Sequence, residues 1–429
     1  MTTAIKVSAR QITVLLVLVL AAFALSGCGS DNYDAPSATQ TETPLIEAAT
    51  LKSWIDQGLV NSGGYQNVAI LDYNGGDEHI PGAVKVGVNE LRAVRVEGVA
   101  PAASLVPSGE QMDAVLRKLC VNENTTIVIT CPSSAMYLAT RAYFTFRYWG
   151  FPKERIKLLE GGNGAYAALY ELSDETVSLA PSSYSVRDLG VLNDGLRASL
   201  GDMITLISSG ANGDTIQTFD ARGGSEASSY AGAAGASKGY IDLNTNKVTF
   251  EGHMDGGKAL LWKSMWAENS PAGEFKTGEE VRAMLEAAGW EEGMTVYSYC
   301  LSGYTATPLF FILDAMTDIP VVVYDGSWSQ WGKLSSDPEV GGVLRPGSAW
   351  ATDVLTYSDP DHTVGPTYNM ENGFEVEALT VDPQLDQMYR SATDPRANQV
   401  ENEDMEYMEG ASGSTGAPSA TDGDVLLGC

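Results

Sequence analysis

Short, nearly continuous runs of apolar and β-branched residues alternate along this chain with longer stretches of helical periodicity, and the alternation occurs twice. In the first pass a helical LKSWIDQG precedes the strand NVAILD, ending at Asp72, and the loop EHIPGA (78–83). The helix EQMDAVLRKL, the strand TTIVIT ending at Cys131, the helix YLATRAYFTFRYWG and the strand RIKLLEGG complete it. The second pass begins with a helix near LRASLGDMITLI, the strand TIQTFD ending at Asp220, then Ala221-Arg222 and the loop EGHMDGG (251–257). It ends with the helix GEEVRAMLEAAG, the strand MTVYSY ending at Cys300, the helix ATPLFFILDAM and the strand VVVYDG. The period, about 150 residues, is a domain's length rather than a solenoid repeat. Such runs between helices imply βαβ units and parallel sheets covered on both faces, so the fold class is α/β.

The expected organisation is a first domain over 46–170, a connector over 171–195 and a second domain over 196–340. An extension (341–395) follows, whose LRPGSAWATDVLTY packs back on the body, and then a tail (396–429) that turns acidic and afterwards Gly/Ser/Ala-rich, a composition expected of disorder. The N-terminus is an address rather than structure. Lys6 and Arg10 precede ITVLLVLVLAAFAL and then Leu25-Ser26-Gly27-Cys28, which has the charged, apolar and small-residue regions of a secretory signal (1–27). The apolar run is short for a full membrane span. Residues 28–45, rich in Ser, Thr, Asp and Pro, read as a flexible tether.

Charge narrows the partners. With 429 residues and a formal net charge of −29, the chain is poorly suited to a phosphate backbone, so nucleic acid is excluded. Anionic headgroups are disfavoured on the same ground. Much of the acidity lies after residue 332, where a solubilising segment is the simpler reading and an acidic docking arm the other.

Five cysteines (28, 120, 131, 300 and 429) form no CxxC, and the histidines are His79, His253 and His362, so neither a metal site nor a cofactor is expected. Cys131 and Cys300 each end a strand of a parallel sheet, where ligands bind in such folds. Loop amides and the following helix present positive charge there, which favours a thiolate. In Cys300-Leu301-Ser302-Gly303-Tyr304-Thr305, Gly303 permits the backbone angles of a cradle and Thr305 is placed to cap the next helix. In CPSSAMYLATR, Pro132 lacks an N–H and no glycine follows, so Cys131 is expected to be non-catalytic. A Cys120–Cys131 disulfide is improbable, because the pair brackets one strand. Cys429 is either an idle terminal thiol or an intermolecular one.

These segments resemble the two-domain rhodanese (thiosulfate and mercaptopyruvate sulfurtransferase) family. The resemblance is carried by HIPGA at 79–83, LEGG at 159–162, Asp220-Ala221-Arg222, the GH at 252–253, CLSGYT at 300–305 and DGSWSQW at 325–331, in order from about residue 46 to 340. It implies two tandem rhodanese-like domains, with Cys300 as the nucleophile that becomes a persulfide. Amides of Leu301, Ser302, Gly303, Tyr304 and Thr305 would cradle the sulfur, and Arg222 would meet an anionic donor at the domain interface. The partners implied are a small anionic sulfur donor and a thiol or other thiophilic acceptor. Asp72 and Asp220 end equivalent strands and are expected to order loops; His79 and His253 share an equivalent loop and are expected to be structural. Trp328 and Trp331 read as packing residues.

Leu301 and Ser302 are uncharged where thiosulfate enzymes of the family place basic residues, and closer to the mercaptopyruvate type. That type also draws an Asp and a His from the first domain, where His79 is the one histidine, so the donor stays open. The Leu-Ser-Gly-Cys sequence resembles a bacterial lipobox, which makes Cys28 the lipidation site and membrane anchor; Gly29 after it implies the outer membrane of a Gram-negative cell. Beside the enzyme stands a second reading, a non-catalytic rhodanese-like module that binds an envelope protein partner, with a complex handling sulfur or selenium oxyanions as one such setting. A phosphatase loop of the Cys-x5-Arg type is poorly matched, because position 306 is Ala.

Overall fold

The computed structural model describes residues 43–97, 100–222, 253–254, 256–268, 270, 273–335, 352–353 and 395–410, all within one compact unit. The signal segment, Cys28, most of the tether, residues 223–252 and 411–429 with Cys429, and nearly all of the 341–395 extension lie outside the described residues.

The first half runs β1 (Leu45–Ile46), α1 (Ala48–Asp56), β2 (Val68–Tyr73), β3 (Val84–Val86), β4 (Ala93–Glu97), β5 (Ala100–Leu105) and α2 (Gly109–Lys118). It continues with β6 (Thr126–Thr130), α3 (Met136–Tyr148), β7 (Ile156–Leu159) and α4 (Gly162–Ala167). The strands β1-β7-β6-β2-β3 form a parallel sheet in that order. Every residue of β2, β6 and β7 is buried, as expected of strands covered by helices on both faces. Helix α2 starts on a reciprocal capping box, with Ser108 and Gln111 satisfying each other's backbone N–H.

The second half contains α5 (Leu200–Ser208), β8 (Ile216–Asp220), β9 (His253–Met254), β10 (Lys258–Ala259), α6 (Gly278–Ala287), β11 (Thr295–Tyr299), α7 (Thr307–Met316), β12 (Val321–Val323) and α8 (Ser327–Ser335). Its parallel sheet has the order β10-β8-β11-β12, and Arg197 bridges Val323 in parallel beyond β12. The first sheet makes the matching contact where Leu45 pairs with Leu158. The strand order therefore repeats, as the two passes of the sequence predict. The short β13 (Thr352–Asp353) pairs with β9 and returns the extension to the body, as expected.

The halves share one hydrophobic core. Helix α3 lies against α7, with Tyr143 edge-on to Phe311 at 5.0 Å and Phe144 edge-on to Phe310 at 5.2 Å. Both phenylalanines of α7 are fully buried. Each such side chain contributes roughly 2–3 kcal/mol of burial, so the contact is a structural joint rather than a loose interface.

Two elements depart from the expectations. The antiparallel hairpin β4–β5 fills the stretch between the EHIPGA loop and α2. The expected disorder from residue 396 is corrected by α9 (Gln399–Met408), a helix docked across the joint between the halves. Buried Arg95 of the hairpin donates to Asp404 at 2.8 Å and Glu403 at 2.9 Å. Tyr148 donates to Asp404 at 2.8 Å, and Tyr407 donates to Asp113 at 2.6 Å. The acidic composition of this segment is thus matched by buried donors elsewhere, which composition alone does not reveal.

Glu401 of α9 faces Arg197 at 3.3 Å, but burial and the neighbouring carboxylates of Glu97, Asp202 and Asp194 outweigh that cation and push its carboxyl up to about 8. Its folded-state value lies above the unfolded one of about 4.5, so the fold takes up a proton there. The stabilisation from this group is full below the unfolded value and is lost as pH rises through 8. In Glu401→Gln the melting temperature is expected to fall less between pH 5 and pH 8.5 than in the parent, by thermal unfolding in matched buffers; parallel curves would contradict this.

Candidate active site

Strand β11 ends at Tyr299, whose partner in the ladder is Asp220 at the end of β8, while Ser298 pairs with Val323 at the end of β12. Three chain segments therefore leave the same sheet edge side by side: Cys300–Thr305, Ala221-Arg222 and Tyr324–Trp328. The loop after β12 holds the cysteine loop through its backbone. Trp328 N donates to Cys300 O at 2.9 Å, Ser329 N to Leu301 O at 2.8 Å, and Cys300 N to Ser327 Oγ at 3.2 Å. Ser327 sits at φ +53°, a conformation uncommon outside glycine, and its hydroxyl also donates to Tyr324 O at 2.8 Å. That latch is what the DGSWSQW motif supplies.

Gly303 N donates to Cys300 Sγ at 3.1 Å, so one amide of the predicted cradle is aimed at the sulfur. Its φ of +78° is open to glycine, and a Cβ there would lie 2.6 Å from Asp325 O. Cys300, Leu301, Ser302, Tyr304 and Thr305 are all buried, so the site is closed in this conformation. The expected cap is corrected: α7 begins at Thr307 with Ala306 at the cap position, and the Thr307 hydroxyl bonds back to Tyr304 O at 2.7 Å.

Arg222 lies beside the loop with its charge already compensated. Its guanidinium holds Asp220 through Nε at 3.0 Å and a terminal nitrogen at 2.5 Å, and lies 4.8 Å from the ring centre of Trp328. Asp220 also accepts from Arg222 N at 3.0 Å, which orders the turn. In the first half Asp72 accepts from Asn163 at 2.9 Å, and burial raises its carboxyl. His79 is tied by backbone to Ser173 in both directions, at 2.9 and 2.8 Å.

The first half's strand-end loop is sealed. Cys131 is fully buried, its sulfur donates to Ala135 O at 3.3 Å, and burial pushes the thiol up to about 12. A Cβ on Gly162 would lie 2.4 Å from Cys131 O, so the LEGG turn closes directly over it. Cys120, Cys131 and Cys300 are all thiols rather than disulfides.

Three residues with a bearing on this site were missed by the sequence reading: Ser327, Tyr73 and Arg141. Tyr73 at the end of β2 shares a hydroxyl contact of 3.2 Å with Tyr304. Arg141 on α3 reaches the carbonyl of Gly303 at 2.9 Å. A lone arginine within the apolar run YLATRAYFTF is the signal that could have found it, since an unpartnered charge is rarely buried.

A parallel α/β fold with a cysteine loop at the strand ends defines the class, and comparison with known proteins agrees. Residues 48–169 match the family model described as "Rhodanese-like domain". The chain is 26% identical over 274 residues to 3-mercaptopyruvate sulfurtransferase of Escherichia coli K12, covering 64% of this chain and 86% of that protein. It is 28% identical over 273 residues to the sulfur carrier protein TtuD of Thermus thermophilus, covering 63% and 87%. The solved structure of the Escherichia coli 3-mercaptopyruvate enzyme SseA aligns with a TM-score of 0.50 at 22% identity, over 67% of this chain and 99% of that one. The Tum1 protein of Saccharomyces cerevisiae aligns with a TM-score of 0.52 at 16% identity, over 68% and 95%. These two likenesses speak to the fold. The homology to sulfurtransferases supports sulfur transfer as the general activity.

Gly303→Ala tests the loop's geometry. The positive φ and the clash with Asp325 are expected to destabilise the protein by about 2–4 kcal/mol in urea unfolding. A loss below roughly 0.5 kcal/mol, within the range of neutral surface changes, would contradict the contact.

Proposed function

We propose that the chain is an exported, lipid-anchored sulfurtransferase in which Cys300 of a second rhodanese-like domain carries the sulfur. The Cys300 thiolate attacks the sulfane sulfur of a small anionic donor. A new S–S bond forms, and the donor leaves with the electron pair of its broken bond to sulfur. A thiol or other thiophilic acceptor, as its anion, then attacks the outer sulfur and releases the Cys300 thiolate. The observation that carries this reading is the Gly303 N–H directed at Cys300 Sγ at a strand end, 3.1 Å away. An amide so placed stabilises the anionic sulfur before and after loading. Leu301, Ser302, Tyr304 and Thr305 shape the same loop. Arg222, neutralised by Asp220, holds that turn in register and meets the donor only as it exchanges partners. The sealed Cys131 leaves the first half's strand-end loop without a reactive thiol.

Because the Cys300 loop is buried, loading requires the site to open. The same burial favours a second reading, a non-catalytic module that binds a cell-envelope partner; the homology to sulfurtransferases weighs for the enzyme. Lipidation at Cys28 would hold either form at the envelope, on the outer membrane of a Gram-negative cell.

Incubation of the protein with thiosulfate, 3-mercaptopyruvate and related donors, followed by intact mass measurement, is expected to show a gain of one sulfur. The gain should vanish in Cys300→Ser and persist in Cys131→Ser. If no donor loads Cys300 and Cys300→Ser behaves as the parent does, the enzyme reading falls.

A further inference from the structure

The Cys300 loop is held from below by a residue of the other half. Arg141, in the second turn of α3 and fully buried, donates to Gly303 O at 2.9 Å and to Ser104 O at 2.8 Å. The same guanidinium lies 3.5 Å from Asp325, 5.3 Å from the Phe144 ring centre and 5.2 Å from that of Tyr304. Its Nε has no hydrogen-bond partner among the described residues. A buried cation with an unpaired N–H is a costly way to fill a core, because the unmet donor loses its hydration without return.

What the side chain provides is position. Gly303 offers its two peptide groups to different partners: its N–H goes to Cys300 Sγ and its C=O to Arg141. With φ at +78°, the glycine has several conformations of similar energy, and the hydrogen bond to its carbonyl selects one of them. The selected one aims the N–H at the sulfur. Asp325, packed directly under Gly303, is fixed in turn by Arg197 at 2.8 Å and Val106 N at 2.8 Å.

We infer that Arg141 is a positioning residue for the sulfur site: the first half, whose own strand-end cysteine is sealed, sets the orientation of the Gly303 amide that serves Cys300. This rests on the reading of Cys300 as the reactive thiol. Among the described residues, the charged and titratable groups around the loop are Arg141 and Tyr73 from the first half, and Arg197, Asp220, Arg222, Tyr304 and Asp325 from the second. Of these, Arg141 is the one that bonds to Gly303 itself.

The test is the pH dependence of Cys300 alkylation by iodoacetamide in the detergent-purified full chain, resolved from the other cysteines by peptide mass spectrometry. No sulfur donor is needed, so the outcome is separate from whether the chain transfers sulfur; donor loading is read in parallel by intact mass. Arg141→Met is expected to lower the alkylation rate of Cys300 at pH 7 roughly tenfold and to displace the rate profile toward higher pH, as the amide leaves the sulfur. Arg141→Lys keeps the charge but reaches a single carbonyl, and is expected to fall between Met and the parent. Should Arg141→Met fail to fold, the Lys variant decides alone. An unshifted profile in the folded variants, with only a lower melting temperature or a uniformly faster reaction from loosening, overturns the inference.

Discussion

The structure turns on the buried guanidinium of Arg197. It donates to Asp325 at 2.8 Å and to both oxygens of Glu97 at 3.0 Å, and it faces Glu401 at 3.3 Å. These four residues come from the start of the second half, the second sheet's last strand end, the first half's hairpin and the C-terminal helix. Three carboxyl groups share this cation, Asp325 also faces Arg141 at 3.5 Å, and burial keeps Glu97 and Glu401 above the usual carboxylate range. A network of this kind does little for net stability compared with an apolar filling, yet losing one member costs about 3–5 kcal/mol. Its effect is to fix which surfaces meet. Asp325 transmits that constraint, because Gly303 packs on its backbone and Val106 N donates to its carboxylate.

The two halves are therefore unequal partners rather than independent copies. The strand order repeats, and each half places a cysteine at the same strand end. Around Cys131, however, Pro132, the LEGG turn and Asn163, whose N–H bonds to Cys131 O at 2.9 Å, leave a sealed thiol. Around Cys300 a glycine with positive φ and a strained serine build a turn with an amide on the sulfur. The first half's contribution lies instead in the residues it sends across the joint, Tyr73 and Arg141.

Much of this was legible in the sequence. Fully buried strands read as unbroken apolar runs, so both sheets and the helices between them could be placed, and the loop CLSGYT stood out by its glycine. The hairpin did not, because AVRVE and APAASL are short, weakly apolar and pair only with each other. Helix α9 did not, because its acidic face is satisfied by Arg95 and Arg197, about 200 to 300 residues away in sequence. The role of Arg141 depends on the same long-range geometry. Motifs carry local geometry, whereas the contacts that close this site are made between segments far apart in the chain.

One buried cation, Arg197, thus couples the C-terminal helix, the joint and the Cys300 loop. Native-state amide hydrogen exchange in Arg197→Met addresses that coupling most directly. Residues 300–305 and 399–408 are expected to lose protection together, while β2 and β6 keep theirs. Loss confined to the helix, with the Cys300 loop protected as in the parent, would contradict it.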